Sequence, residues 1–182
     1  MQFRNIITES NSLAFGCSHT WGVGVEANET WAYKLEAKNF GIPGCSADLI
    51  ARIFPDIVKE QKPTTVYVLW PDWTRFEYIQ NGQYYQSLPT DANRIHFMEV
   101  HTDEWLIINF VKKTEFVRNY CKNNNIEIFD MTLYDLALYI DRADVWPLSK
   151  LGHHYSPLWH SWVADIFRHS KNNNILHSLK NE

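Results

Sequence analysis

Cysteine is scarce in this chain and carries no recognisable pattern. Its three cysteines, Cys17, Cys45 and Cys121, are odd in number and lack C-x-x-C spacing, which argues against a disulfide scaffold and against a zinc ribbon. No stretch approaches the roughly 18 apolar residues that a membrane-crossing helix needs. The opening MQFRNIITESNS lacks the apolar core of a secretory signal. These absences predict a soluble, cytoplasmic protein of a reducing compartment, with no membrane partner. Clustered basic residues are missing as well. The densest pair is Lys112-Lys113 and the net charge is −4, so no nucleic-acid partner is expected. There is no internal repeat and no linker rich in Pro, Gly or Ser, so residues 1–182 read as one domain with a polar tail from about residue 171. Gly22-x-Gly24 lacks the third glycine of a dinucleotide fingerprint, and no other loop would cradle a phosphate. No cofactor is expected.

What is present is apolar and aromatic. The hydrophobic share is 45% and the aromatic share 15%, with eight tryptophans, enough for a sizeable core, an exposed stacking surface, or both. Strand and helix patterns alternate. Ser12–Gly16 reads as a buried strand, and Thr30 as the cap of a helix from Trp31 to about Lys38. Ser46 caps a second helix through Ala51 and Ile57, and Thr64–Trp70 is a buried strand rich in β-branched and aromatic residues. Asn81-Gly82 between aromatic runs predicts a hairpin. A long amphipathic helix follows from Thr102 to about Asn123, then a strand at Glu127–Met131, then a last helix opened by Ser156-Pro157. Such alternation predicts a mostly parallel sheet covered by helices on both faces, a three-layer α/β/α sandwich with its ligand site beyond the carboxyl ends of the strands. Ser18, the segment Trp70-Pro71-Asp72 and the residues after Met131 all fall at such ends.

Three short blocks carry possible chemistry. In Phe15-Gly16-Cys17-Ser18-His19-Thr20-Trp21-Gly22 a serine sits on a turn directly after a strand. Such a serine either closes the turn or stands as a nucleophile, and the GxSxG elbow of α/β-hydrolases is not present. Asn39-Phe40-Gly41-Ile42-Pro43-Gly44 sets glycines where a backbone N–H can approach a ligand, or simply ends a helix in a Gly/Pro turn. His153-His154-Tyr155-Ser156-Pro157-Leu158-Trp159-His160 brings three histidines within eight residues before and into a helix. A metal site is the alternative to a proton-transfer role there, but no matching ligand cluster stands elsewhere and the adjacent His153 and His154 diverge. No metal is expected.

Together and in this order the blocks resemble those of the SGNH hydrolases, the GDSL esterase/lipase family, over roughly residues 12–170. The resemblance implies a flavodoxin-like α/β/α fold and no cofactor. It makes Ser18 the nucleophile, with Cys17 where the family usually has Asp. It makes Gly41, preceded by Asn39 and followed by Gly44 and Ser46, a backbone donor to the oxyanion. His154, followed by Pro157, His160 and an apolar helix, becomes the general base. Two places depart from the family pattern. The third block ends in an Asn whose side chain donates to the oxyanion, and here Val68-Leu69-Trp70-Pro71-Asp72-Trp73-Thr74-Arg75 puts Asp72 in its place. An ionised carboxylate repels an oxyanion, so Asp72 would be protonated or turned away, with Thr74, Arg75 or a tryptophan indole such as that of Trp70 acting instead. The triad acid is also displaced: Leu151 stands three residues before His154, which leaves Asp144 as the candidate acid, with Asp141 or a Ser-His dyad as alternatives. The short span before Asn39 implies that the family's second strand is nearly absent.

Some divergent bacteriophage proteins of this type share the C-S-x-T block and a third block with tryptophan and arginine, a likeness that would place the chain in a host cytoplasm or a virion. The expected function is a serine esterase acting on a small-molecule or carbohydrate ester, in particular an O-acetyl group. Trp21, Trp70 and Trp73 would stack on sugar faces, or else pack in the core. The rival expectation is the same fold kept as a non-catalytic binding or virion-associated module.

Overall fold

In the computed structural model the described residues are 3–87, 102–133, 135–136 and 155–173. Four strands form one parallel sheet: β1 (Ser12–Gly16), β2 (Lys38–Gly41), β3 (Thr65–Trp70) and, after a hairpin of β4 (Phe76–Gln80) and β5 (Gln83–Ser87), β6 (Glu127–Thr132). The sheet order is β2-β1-β3-β6. The register sets Gly16 level with Gly41 on one side and with Leu69 on the other. Chain direction across the sheet therefore reverses between β1 and β3, the point at which a doubly wound sheet opens a crevice at its carboxyl edge.

Both sheet faces are covered. Leu13, Phe15, Val66, Val68 and Trp70 point to one face and pack against α3 (Ala47–Gln61) and α4 (Asp103–Asn123). The alternate residues Ala14, Tyr67, Leu69, Phe129 and Met131 point to the other face. There they meet α2 (Trp31–Lys34) and α5 (Pro157–Asn173) through Trp31, Trp159, Val163 and Phe167. A period of two along each strand thus builds two cores, each large side chain contributing about 1.5–3 kcal/mol on full burial. This is the three-layer α/β/α sandwich that the motifs implied. Among the described residues no helix is long and apolar enough to cross a membrane. All three cysteines are buried and unpaired to one another as disulfides.

Most expected elements fall where the pattern put them. Thr30, Ser46 and Thr102 accept capping hydrogen bonds from Tyr33, Leu49 and Trp105. Asn81 and Gly82 both take positive φ, 51° and 75°, as the two-residue hairpin requires. The exception is the helix after Thr30, which runs one turn rather than to Lys38. Glu36 adopts a left-handed conformation at φ 54°, Ala37 N–H bonds back to Ala32 O at 2.9 Å and Glu36 N–H to Tyr33 O at 2.9 Å. That pair of bonds is a Schellman stop, normally marked by glycine. With no glycine to signal it, the stop is invisible in sequence. The residues freed, Lys38–Gly41, form β2, so the second strand is short but present.

Candidate functional site

Gly16 ends β1 with φ +155°, and a Cβ there would lie 2.0 Å from Thr20 Oγ1 and 2.5 Å from Leu69 O. Only glycine lets the chain turn this tightly into α1 (Ser18–Trp21), the single turn that begins at the serine. Trp21 N–H and Thr20 N–H close the turn on Cys17 O at 2.9 and 3.0 Å. Thr20 Oγ1 turns inward to Phe15 O. Ser18 is 7% exposed, and among the described residues its Oγ has no hydrogen-bond partner. The neighbouring threonine is spent on structure and the serine is not.

Gly41 holds this turn in place. A Cβ on it would lie 2.3 Å from Trp21 N, so β2 and α1 are in backbone contact there. Asn39 stitches them together: its Nδ2 donates to Thr20 O at 2.7 Å, and its Oδ1 accepts from Gly41 N–H at 2.9 Å. The Gly41 N–H expected to face an oxyanion is therefore already bonded, and the glycine serves close packing. The next turn is differently disposed. Cys45 N–H reaches Ile42 O at 3.1 Å across Pro43 and a Gly44 at φ 77°. Proline second and positive-φ glycine third make a type II turn, whose central N–H is not used by the turn itself. Among the described residues Gly44 N–H has no partner. Cys45 Sγ donates to Gly16 O at 3.3 Å, which folds this turn over the end of β1. Burial pushes the Cys45 thiol well above its ordinary range, the nearby Cys17 adding to the effect and Arg75 opposing it.

After β3 the expected substrate groups separate. Trp70 lies in the core at 1% exposure, with its indole N–H donated to Asp130 Oδ2 at 2.8 Å. Arg118 pairs with the same carboxylate at 2.7 Å. Trp70 thus neither lines a cleft nor has a donor to spare, because its position on β3 turns it to the face covered by α3 and α4. Trp21 and Trp73 remain half-buried near the edge. Asp72 is exposed, and its Oδ1 accepts from both the N–H and the hydroxyl of Thr74. Arg75 N–H bonds Asp72 O at 3.0 Å. The carboxylate builds the turn that leaves β3, which explains an acidic residue at this place.

His154, Asp144 and Asp141 lie outside the described residues, as does His153. Tyr155, which follows His154 in the chain, stacks on His19 with centroids 4.9 Å apart. His19 itself follows Ser18. Burial raises the Tyr155 hydroxyl, with a smaller contribution from Cys17. Tyr155 is therefore beside the Ser18 turn. His160, the last histidine of that block, is buried and accepts the Trp31 N–H on Nδ1 at 3.3 Å. Burial lowers its pKa to about 3, helped by the charges of His19, Lys34 and Arg4. It is a neutral core acceptor. Among the described residues no group of three or more His, Cys, Asp or Glu side chains is arranged to hold a metal ion.

No family model matches the chain, and no curated protein matches it in sequence. Solved structures match in fold. One is a protein from Desulfitobacterium hafniense DCB-2 described as lipolytic and of the G-D-S-L family. It has a TM-score of 0.46 and 18% identity over 86% of this chain and 97% of that one. The acetyl xylan esterase AlAXEase gives 0.43 and 16% over 87% and 98%. A two-domain esterase active on acetylated mannans gives 0.43 and 16% over 94% of this chain and 49% of its own. The likeness is one of fold, and those activities belong to those proteins.

Proposed function

We propose that this protein is a serine esterase in which Ser18 is the nucleophile and His154 the general base, with Asp144 orienting the imidazole. The observation that carries the reading is the Tyr155–His19 stack. It joins the residue after His154 to the residue after Ser18, at the carboxyl end of β1. In the reaction the Ser18 oxygen bonds to the acyl carbon while its proton passes to the imidazole. The carbonyl oxygen takes the negative charge, and its collapse expels the alcohol, which receives that proton. Water, deprotonated by the same imidazole, then releases the acid and restores Ser18. Backbone N–H groups are the first donors to the oxyanion. With Gly41 N–H committed to Asn39, we assign them to Ser18 and Gly44. The acyl group is small, acetyl in particular, and the alcohol a carbohydrate, with Trp21 and Trp73 as the half-buried aromatic surfaces for a sugar ring.

The test is labelling by a fluorophosphonate probe and hydrolysis of p-nitrophenyl acetate. Ser18→Ala should abolish both, and His154→Ala should lower the rate by about 10³-fold or more. Labelling that persists in Ser18→Ala, or wild-type protein that neither labels nor turns over, sinks the proposal in favour of a non-catalytic binding module.

A further inference from the structure

Several buried polar atoms among the described residues have no hydrogen-bond partner, Ser156 Oγ and Trp159 Nε1 among them, and Arg75 is the charged side chain in that set. Its Nε and Nη1 are closed to solvent and, among the described residues, have no hydrogen-bond partner. A guanidinium carries five donors in a fixed fork and stays charged at any working pH. Burying part of that fork unpaired costs free energy that the rest of the fold must offset. A structural arginine in the same molecule looks different: Arg118 is bonded to Asp130 and Glu115 at 2.7 and 2.6 Å. Asp72, three residues before Arg75, is exposed and holds Thr74 through Oδ1, and among the described residues no bond joins its carboxylate to the Arg75 guanidinium. Cys45, which feels the Arg75 charge, is kept a neutral thiol by burial and bonds Gly16 O through Sγ. Arg75 therefore brings two unbonded guanidinium donors to the turn after β3, close enough to act on Cys45, whose Sγ bonds Gly16 O at the strand end that leads into Ser18.

We propose that Arg75 is an oxyanion-binding residue of the Ser18 site, its guanidinium taking the place of a side-chain amide as donor to an oxygen anion between the ends of β1 and β3. This rests on the esterase reading for its catalytic meaning, the ligand in turnover being the carbonyl oxygen of the tetrahedral intermediate. A charged donor already desolvated at two of its nitrogens needs little reorganisation when the negative charge develops. It also resolves the conflict at Asp72, since the carboxylate is used within its turn and the cation stands nearby.

The experiment measures kcat and KM for p-nitrophenyl acetate, and methylphosphonate affinity by calorimetry, in wild type, Arg75→Ala and Arg75→Lys, with melting curves to verify folding. In Arg75→Ala, kcat should fall about 10²–10³-fold with KM little changed, because the interaction forms in the transition state. Added guanidinium ion should restore part of it. Methylphosphonate should bind about tenfold or more weakly. Arg75→Lys keeps the charge but loses the fork, and should fall between; it also serves if the alanine variant does not fold. Unchanged kcat and unchanged methylphosphonate affinity in Arg75→Ala overturn the proposal. So does wild-type protein that neither turns over ester nor binds methylphosphonate. Fluorophosphonate labelling separates the two readings. Arg75-dependent methylphosphonate binding without labelling of Ser18 refutes the esterase and leaves the anion site standing. Turnover that needs Ser18 but is indifferent to Arg75 does the reverse.

Discussion

His160 should make this protein lose stability in mild acid. In the folded state its pKa is lowered from 6.5 to about 3, burial being the largest cause and His19, Lys34 and Arg4 the charges that add to it. The sign follows from linkage. A group that binds its proton more weakly when folded contributes stability above its unfolded pKa, and loses it as pH falls toward the folded one. The window therefore opens near pH 6.5 and runs down toward pH 3. Within it the loss approaches about 1.4 kcal/mol per pH unit, so going from pH 7 to pH 5 costs roughly 2 kcal/mol. For a chain of this size each kcal/mol moves Tm by roughly 2–4 °C, which makes the shift about 4–8 °C. The control is His160→Asn, whose side-chain oxygen can accept the Trp31 N–H now held by Nδ1 at 3.3 Å but cannot titrate. The readout is the difference in Tm between pH 7 and pH 5 in each protein, so any fixed cost of the substitution cancels. Wild type should lose about 4–8 °C more than the variant. Equal losses would mean that His160 is not a buried neutral acceptor, and the assignment of this histidine to structure would fail.

Two further substitutions test the frame around the site. Gly16→Ala places a Cβ 2.0 Å from Thr20 Oγ1 and 2.5 Å from Leu69 O, so it should cost more than about 2 kcal/mol in urea unfolding; an unmoved midpoint would contradict the turn geometry. Asp130→Ala strips the acceptor from the Trp70 indole and the partner from Arg118, and should cost about 3–5 kcal/mol and alter the near-ultraviolet dichroism of a buried tryptophan. The folded fraction should still label at Ser18 at the wild-type rate, and slowed labelling would return Trp70 to the site.

The sequence was legible where one local rule decides an outcome. Ser46 and Thr102 cap helices because a side-chain oxygen meets an unbonded N–H three residues on, and Asn81-Gly82 turns because both residues tolerate positive φ. Gly16 and Gly41 were visible as glycines near a serine, but their purpose was not. One needs a positive φ beside Thr20, and the other admits the backbone of Trp21. Glu36 shows a limit of another kind. It takes a left-handed conformation that sequence assigns to glycine or asparagine, so the end of α2 and the existence of β2 were set by hydrogen bonds between Ala32, Tyr33, Glu36 and Ala37. Trp70 failed for a tertiary reason. A tryptophan at a strand end reads as a rim group until Asp130, sixty residues on, is found holding its N–H. Arg75 was visible only as one of several substitutes for a missing amide. The signal that singles it out, two buried donors without partners, exists only in three dimensions.

Hydrogen-bond satisfaction sorts the edge of this sheet more sharply than residue type does. Asn39, Asp72, Trp70 and His160 are the groups that chemistry alone would nominate, and each is consumed by a bond that the fold needs. Such groups rigidify the strand ends, because an unsatisfied replacement would be costly in a low-dielectric interior. Ser18 Oγ and two donors of the Arg75 fork are without partners among the described residues, and Arg75 is the charged group in that set. Folding gains nothing from leaving two guanidinium donors closed to solvent and unbonded, which is the argument for an anion that completes them during function. By the same reasoning Arg75→Met should leave the anion-free protein as stable as wild type or more stable, by up to about 4 kcal/mol, as replacement of unproductive buried charge does elsewhere. A urea midpoint that falls instead would show that the guanidinium is held by contacts within the fold. Stability retained together with loss of methylphosphonate binding would mark a residue kept for its ligand.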